Sequence, residues 1–172
     1  FAERLGHLTD PGYITNYDRI DRWMAALLMF RDHPWLGAGW GRYADEYYRY
    51  IYFTDTYSTQ IRMGAHNLYL HLLAESGLAG AAAYTFLLGC FFRQVSRLRK
   101  RCGDLFLQTV LTGVAGAMLT YLVHGMVNNL GPSDKIELSF WLMPGLVVVI
   151  NRMMHNSAEA GGKTENARID HR

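Results

Sequence analysis

Two stretches of this chain, residues 76–92 and 105–133, contain no Asp, Glu, Lys or Arg, and a shorter one, 138–151, is uncharged too. A helix needs roughly 20 mostly apolar residues to cross a bilayer. The first stretch reaches that length with part of Leu68–Ala74 ahead of it, and the second exceeds it. The third reaches it with Ile136, Met153 and Met154 at its flanks. The sequence therefore predicts an all-α, polytopic membrane protein fragment, with about three transmembrane helices near 71–92, 105–130 and 136–153. Gly77, Gly80, Gly113, Ala115, Gly116 and Ala117 are small enough to let such helices approach closely. A soluble helical bundle is the alternative. It fits less well, because helices apolar all round belong to membranes or to very large cores.

Whole-chain averages hide this division. Half of the 172 residues are hydrophobic and the net charge is only +2, figures that alone describe a soluble domain. The charges and tyrosines are concentrated in residues 1–65, whereas 152–172 is polar and small. The two cysteines, Cys90 and Cys102, form no C-x-x-C pair, and Cys90 reads as a buried small hydrophobe. Between the first two spans lie Arg93, Arg97, Arg99, Lys100 and Arg101, the mark of a cytoplasmic loop. A nucleic-acid patch is a poor fit between two spans. This orientation puts the loop 131–137 and residues 1–70 outside, in a periplasmic, partly helical loop region, and the tail after Arg152 inside. Residues 155–172 are too polar to bury a core and read as a disordered tail. The chain opens on Phe1 without a leader, and the expectation is that further spans precede it.

In the outer region, Asn16 or Asp18 could cap a helix beginning near Arg19. Ile20, Trp23, Leu27 and Phe30 recur at helical spacing, and Pro34 should stop the helix near Asp32. Gly37, Gly39 and Gly41 then permit a tight turn. They are a weak dinucleotide signal, since they follow a helix rather than a strand. Tyr43, Tyr47, Tyr48, Tyr50, Tyr52 and Tyr57 come next. Interfacial or packing roles are favoured for them over direct glycan contact. His66 lies just ahead of the first span and can exchange a proton near neutral pH. His71 and Glu75, four apart, could share a metal, but H-E-x-x-H is absent and no further ligands are evident.

Two stretches together resemble the O-antigen ligase and polymerase superfamily. One runs from Arg19 through Trp23 to Pro34 and the glycines 37–41; the other is His66-Asn67 followed by Leu70, Glu75, Gly77 and Gly80 at the start of a span. The resemblance covers residues 15–92 by motif. It implies a membrane glycosyltransferase of lipopolysaccharide or other polysaccharide biosynthesis in the inner membrane, moving a glycan from an undecaprenyl diphosphate carrier to an acceptor hydroxyl. It implies no cofactor, no metal and no nucleic-acid partner; the expected partners are the lipid-linked donor, a lipid A–core or glycan acceptor, and membrane lipid.

By the same resemblance, Arg19 and His66 match the loop arginine and histidine expected to be catalytic, with Arg22, Asn67 and Tyr69 as substrate-binding neighbours. A guanidinium suits the charge that develops on a departing diphosphate. A neutral imidazole suits the acceptor's proton, a step worth roughly 10²–10⁴-fold. Phosphate binding or orientation of the acceptor are alternative roles for His66. Ligase, polymerase and protein O-oligosaccharyltransferase share this donor and so share these residues. A non-enzymatic transporter or assembly subunit is the reading from another class, with His124, Asn128 and Asn129 as its only polar hints in the spans. Further family arginines are expected on an earlier part of the chain, so these residues alone should be inactive.

Overall fold

Apolar runs and helix breakers divide the chain much as hydropathy leads one to expect. The structure, a computed structural model, describes residues 14–51, 64–128 and 134–169, with side chains at 18–51, 64–128 and 138–156. Tyr52, Tyr57, Asn129 and the first part of the loop at 131–137 lie outside the described residues. The elements are α1 (Ile14–Asp32), α2 (Tyr43–Glu46), a short 3₁₀ turn (Tyr47–Arg49), α3 (Leu68–Arg101), α4 (Leu105–His124) and α5 (Asp134–Ile169). No strand occurs among the described residues, and the fold is all-α. Three helices are long and apolar enough to cross a membrane: α3, α4 and residues 138–156 of α5.

The first helix differs from expectation at its start and agrees at its end. It begins at Ile14, so Asn16 and Asp18 lie inside it rather than capping it. Asp18 is instead buried on the packed face, which also carries Asp21, Arg22, Ala25, Ala26 and Met29. Ile20, Met24 and Leu27 stand on the outer side. The two alanines leave room for the rings of Tyr43 and Tyr47, which with Ala65 and Ala74 complete this cluster.

The chain divides into two compact units, residues 1–86 with 122–134 and residues 87–121 with 135–172. In the second unit each helix buries one narrow stripe: Phe91, Val95 and Leu98 on α3, Leu111, Val114 and Met118 on α4, and Phe140, Val147 and Ile150 on α5. Their other sides expose Leu105, Phe106, Leu119, Leu138, Trp141, Leu142 and Val148. Cys90 is exposed on this outer side, and Cys102 is the buried cysteine, contrary to expectation. An apolar run in a span has an outer side as well as a packed one, and Cys90 falls on the outer. The Asp104 carboxylate accepts from the backbone N–H of Phe106 at 2.7 Å and caps α4.

The threonine hydroxyls on α3 and α4 bond within their own helices. Thr85 Oγ1 donates to Ala81 O at 2.8 Å, Thr109 to Leu105 O at 2.9 Å, Thr112 to Gln108 O at 2.8 Å and Thr120 to Gly116 O at 3.0 Å. Helices surrounded by hydrocarbon must satisfy their polar groups internally, and this pattern does so. The backbone of α5 stays helical through 157–169, where the sequence predicts disorder. A nucleated helix extends at little cost per residue, and Ala158, Glu159 and Ala160 favour it.

Candidate functional site

All the candidate residues lie in the first unit, whose framework is a break in α3. At Gly77 the backbone turns to φ 62°, ψ −160°, and the helix divides into two. A break inside a span exposes carbonyls on one side and N–H groups on the other. The loop after α1 closes both. Ala38 N–H donates to Ala74 O at 2.8 Å and Gly39 N–H to Glu75 O at 3.0 Å. In the other direction, Leu78 N–H donates to Pro34 O at 2.8 Å and Ala79 N–H to Trp35 O at 3.1 Å. The loop is close enough that side chains are excluded on both partners. A Cβ on Gly37 would lie 2.2 Å from Glu75 C, and one on Gly77 2.5 Å from Trp35 C. The two motifs read separately in the sequence are therefore the two halves of one joint.

Glu75 is the pin of that joint. It is buried, and its carboxylate accepts from Gly41 N–H at 3.0 Å and from Tyr43 N–H at 2.9 Å. Those contacts hold the start of α2 against α3. Tyr43 then carries the connection to α1, its hydroxyl donating to Arg22 O at 2.7 Å. Burial, followed by the neighbouring Tyr47, raises the Tyr43 pKa, so its hydroxyl stays protonated as a donor. Tyr47 OH donates to the buried Asp21 carboxylate. These two tyrosines pack, whereas Tyr48 stays exposed. The His71 ring lies 4.9 Å from that of Tyr43, with Nε2 3.5 Å from Glu75 Oε2. No group of three or more metal-ligating residues joins them among the described residues.

At the start of α3 the chain makes a second tight turn. His66 has φ 49°, the one positive value outside glycine among the described residues. Asn67 follows as the helix cap: Oδ1 accepts from Tyr69 N–H and from Leu70 N–H, both at 3.0 Å. Its Nδ2 donates to Met126 O at 2.9 Å, while Leu68 N–H donates to Gly125 O at 2.8 Å and Tyr69 OH to Leu122 O at 2.9 Å. Asn67 and Tyr69 thus fasten the start of α3 to the turn that ends α4. That turn begins after His124, so α4 stops earlier than the apolar run.

The turn presents His66 to a cationic and polar surrounding. Burial lowers the pKa of its ring below the ordinary 6.5, and Arg22 and then Arg19 act in the same direction. A side-chain hydrogen bond with Asn128 acts the opposite way. At neutral pH the ring is therefore uncharged, and it sits within the field of both arginines. Arg22 is buried and acts on His66 more strongly, whereas Arg19 stands exposed on the same helix. The structure so brings Arg19, Arg22 and His66 into one electrostatic neighbourhood. It adds Asn128, whose one signal in the sequence is a polar residue at the end of an apolar run.

A neutral imidazole beside two guanidinium groups can accept a proton while the guanidiniums hold an anion. Residues 12–85 match the model of the family described as O-Antigen ligase. No curated protein and no solved structure matches the chain significantly. The matched residues include α1, the glycine loop, His66 and the break at Gly77, so over this segment the chain carries the sequence pattern of the O-antigen ligase family.

Proposed function

We propose that this chain supplies the acceptor-activating part of an inner-membrane glycosyltransferase. The enzyme moves a glycan from undecaprenyl diphosphate to an acceptor hydroxyl, with lipid A–core as the favoured acceptor. The observation that carries the reading is the match of residues 12–85 to the O-antigen ligase family, a segment in which the left-handed turn at His66 lies. In the proposed step the acceptor oxygen bonds to the anomeric carbon of the donor sugar as its proton passes to His66. The bond from that carbon to the diphosphate oxygen breaks, and the electron pair leaves with the lipid diphosphate. Arg19 and Arg22 offset the charge that gathers there. Asn67 and Tyr69 act indirectly, by holding the turn that carries His66. Residues 1–70 then face the periplasm, consistent with the basic run 93–101 on the cytoplasmic side.

The test is the lipopolysaccharide gel profile of a strain deleted for the complete gene and complemented with the intact gene or with Arg19→Ala, Arg22→Ala or His66→Ala. The expected result is bare core in the deletion, a restored ladder with the intact gene, and no restoration by His66→Ala at normal protein level. Core carrying one repeat unit would point to polymerisation. An unchanged ladder in the deletion strain would sink both lipopolysaccharide roles.

A further inference from the structure

We infer that the last turns of α3 form a binding site for anionic phospholipid, in which Arg93, Arg97, Lys100 and Arg101 hold headgroup phosphates of the leaflet that this end of the helix enters. The inference is independent of the transfer reading above and lies within the second compact unit. The sequence puts these cations in a connection between spans, yet α3 stays helical through Arg101. A helix sorts its residues by face. Phe91, Val95, Leu98 and Cys102 are buried. Arg93, Arg97, Lys100 and Arg101 recur at i, i+4, i+7 and i+8, which places them on one stripe opposite the buried one. All of them are exposed, and none pairs with a carboxylate among the described residues. The next acidic residue along the chain, Asp104, turns its carboxylate to Phe106 N–H at 2.7 Å.

The stripe stands on a fixed frame. Cys102 N–H donates to Leu98 O at 2.8 Å, and Gln108 Nε2 donates to Cys102 O at 2.6 Å, which closes the end of α3. Cations here also suit the helix dipole and mark the cytoplasmic side. Neither effect asks that they share one face. A lipid headgroup does. The uncharged run ends at Phe92, so Arg93 stands where hydrocarbon gives way to headgroups. Arg97 follows one turn later, roughly 6 Å along the axis, and the headgroup layer is roughly 5–8 Å deep on each side. Lys100 and Arg101 lie roughly 10–12 Å beyond Arg93, from where long side chains bend back to the interface. A soluble partner would have to enter the headgroup layer to meet Arg93, whereas a phospholipid phosphate is already there. Guanidinium groups grip phosphate oxygens in pairs.

The test uses the full-length protein in phosphatidylcholine vesicles, with spin-labelled phosphatidylglycerol or spin-labelled phosphatidylcholine as probe. The fraction of motionally restricted probe gives their relative association constants. Probe is present in both leaflets, so protein inserted in either direction is read alike. The native protein should prefer phosphatidylglycerol roughly fivefold to 25-fold, the effect of one or two cations at a membrane surface, and lose most of that preference in high salt. Arg97→Gln should weaken the preference about two- to fivefold, and Arg93→Gln with Arg97→Gln should bring it within about twofold of parity. Arg99→Gln removes the same charge from a position off the stripe and should leave the preference unchanged. These side chains are exposed, and the thermal midpoint should not move in any of the variants. Equal association of both probes with the native protein would overturn the site. So would a loss from Arg99→Gln as large as that from Arg97→Gln, which would reduce the stripe to diffuse charge. Displacement of the probe by millimolar inorganic phosphate would overturn the lipid in favour of a free anion. Capture of a labelled oligonucleotide through Arg97, without any lipid preference, would replace it with a soluble polyanion.

Discussion

Two left-handed positions, one just ahead of α3 and one within it, solve opposite problems. At Gly77, with φ 62°, the conformation brings two backbones so close that no side chain fits. At His66, with φ 49°, a side chain is present despite a backbone cost of roughly 1–2 kcal/mol for an L-residue. Around Gly77 every freed helix-end group described above is closed by the loop 34–39. Around His66 the neighbours Asn67, Leu68 and Tyr69 are tied down, while the ring itself is given a polar partner and two cations. One site is a joint and the other a presented group. Strain at a residue that is not glycine argues for function only where something else needs that side chain, and here Arg22, Asn128 and Arg19 all act on its ring.

The sharpest way to break the comparison is at His66. His66→Ala should reduce transfer by roughly 10²–10⁴-fold, the range of a lost general base, with the protein still folded. His66→Gly goes further, since it also relieves the left-handed strain: it should match or exceed the native protein in thermal stability while remaining inactive. A His66→Gly protein that transfers glycan at the native rate would reduce His66 to a turn residue. The pH dependence follows from the same ring. Its pKa is lowered from 6.5, chiefly by burial, so the uncharged form persists below that pH. As pH falls the ring protonates only beneath 6.5, and the acid limb of the rate profile should lie there rather than above it.

Gly77→Ala should act in the opposite manner, on stability first. Its Cβ would stand 2.5 Å from Trp35 C, where neither backbone can yield without parting the loop from the break. A loss on the order of 3 kcal/mol is expected, combining overpacking with a left-handed alanine. It is measured as the midpoint of thermal unfolding in detergent. A midpoint unchanged from the native protein would show that the joint does not form.

Much of this was legible in the sequence, for identifiable reasons. The uncharged runs placed three spans because hydrocarbon tolerates little else, and Pro34 placed the end of α1 at Asp32. The glycines 37–41 and the Glu75-x-Gly77 motif were visible as separate features. That they interlock was not, because contact between distant segments leaves no periodicity to read. The outward side of Ile20, Met24 and Leu27 was equally hidden: an apolar stripe reads alike whether it meets a core or leaves the unit. Asn128 could be noticed only as polar, since its bond to His66 depends on where α4 stops.

Glu75→Gln sharpens the reading of the joint. One amide oxygen can still accept, but the NH₂ would face the N–H of Gly41 or Tyr43, a donor against a donor. An unsatisfied buried donor costs roughly 1–3 kcal/mol. Glu75→Ala should cost more, and both should lower transfer in proportion to folded protein, with kcat per folded molecule preserved. A loss of kcat at full folding would move Glu75 from the joint into the chemistry.

The smallest effect is expected from Asn67→Ala, and it separates the two regions most finely. The substitution removes the cap of α3 and the tie to Met126 O. Losing a cap costs about 1 kcal/mol, a modest shift in the thermal midpoint. Because the tie to Met126 O also holds the turn bearing Asn128, the same variant should slow transfer several-fold even when all of the protein is folded. Asn67→Asp keeps the cap, since a carboxylate oxygen still accepts from Tyr69 and Leu70 N–H, but it has no hydrogen to give Met126 O. If Asn67→Asp is as stable as the native protein and yet as slow as Asn67→Ala, the tie rather than the cap governs His66. If it is both stable and fast, the cap is the whole contribution of Asn67, and the end of α4 is held by the bonds from Leu68 N–H and Tyr69 OH.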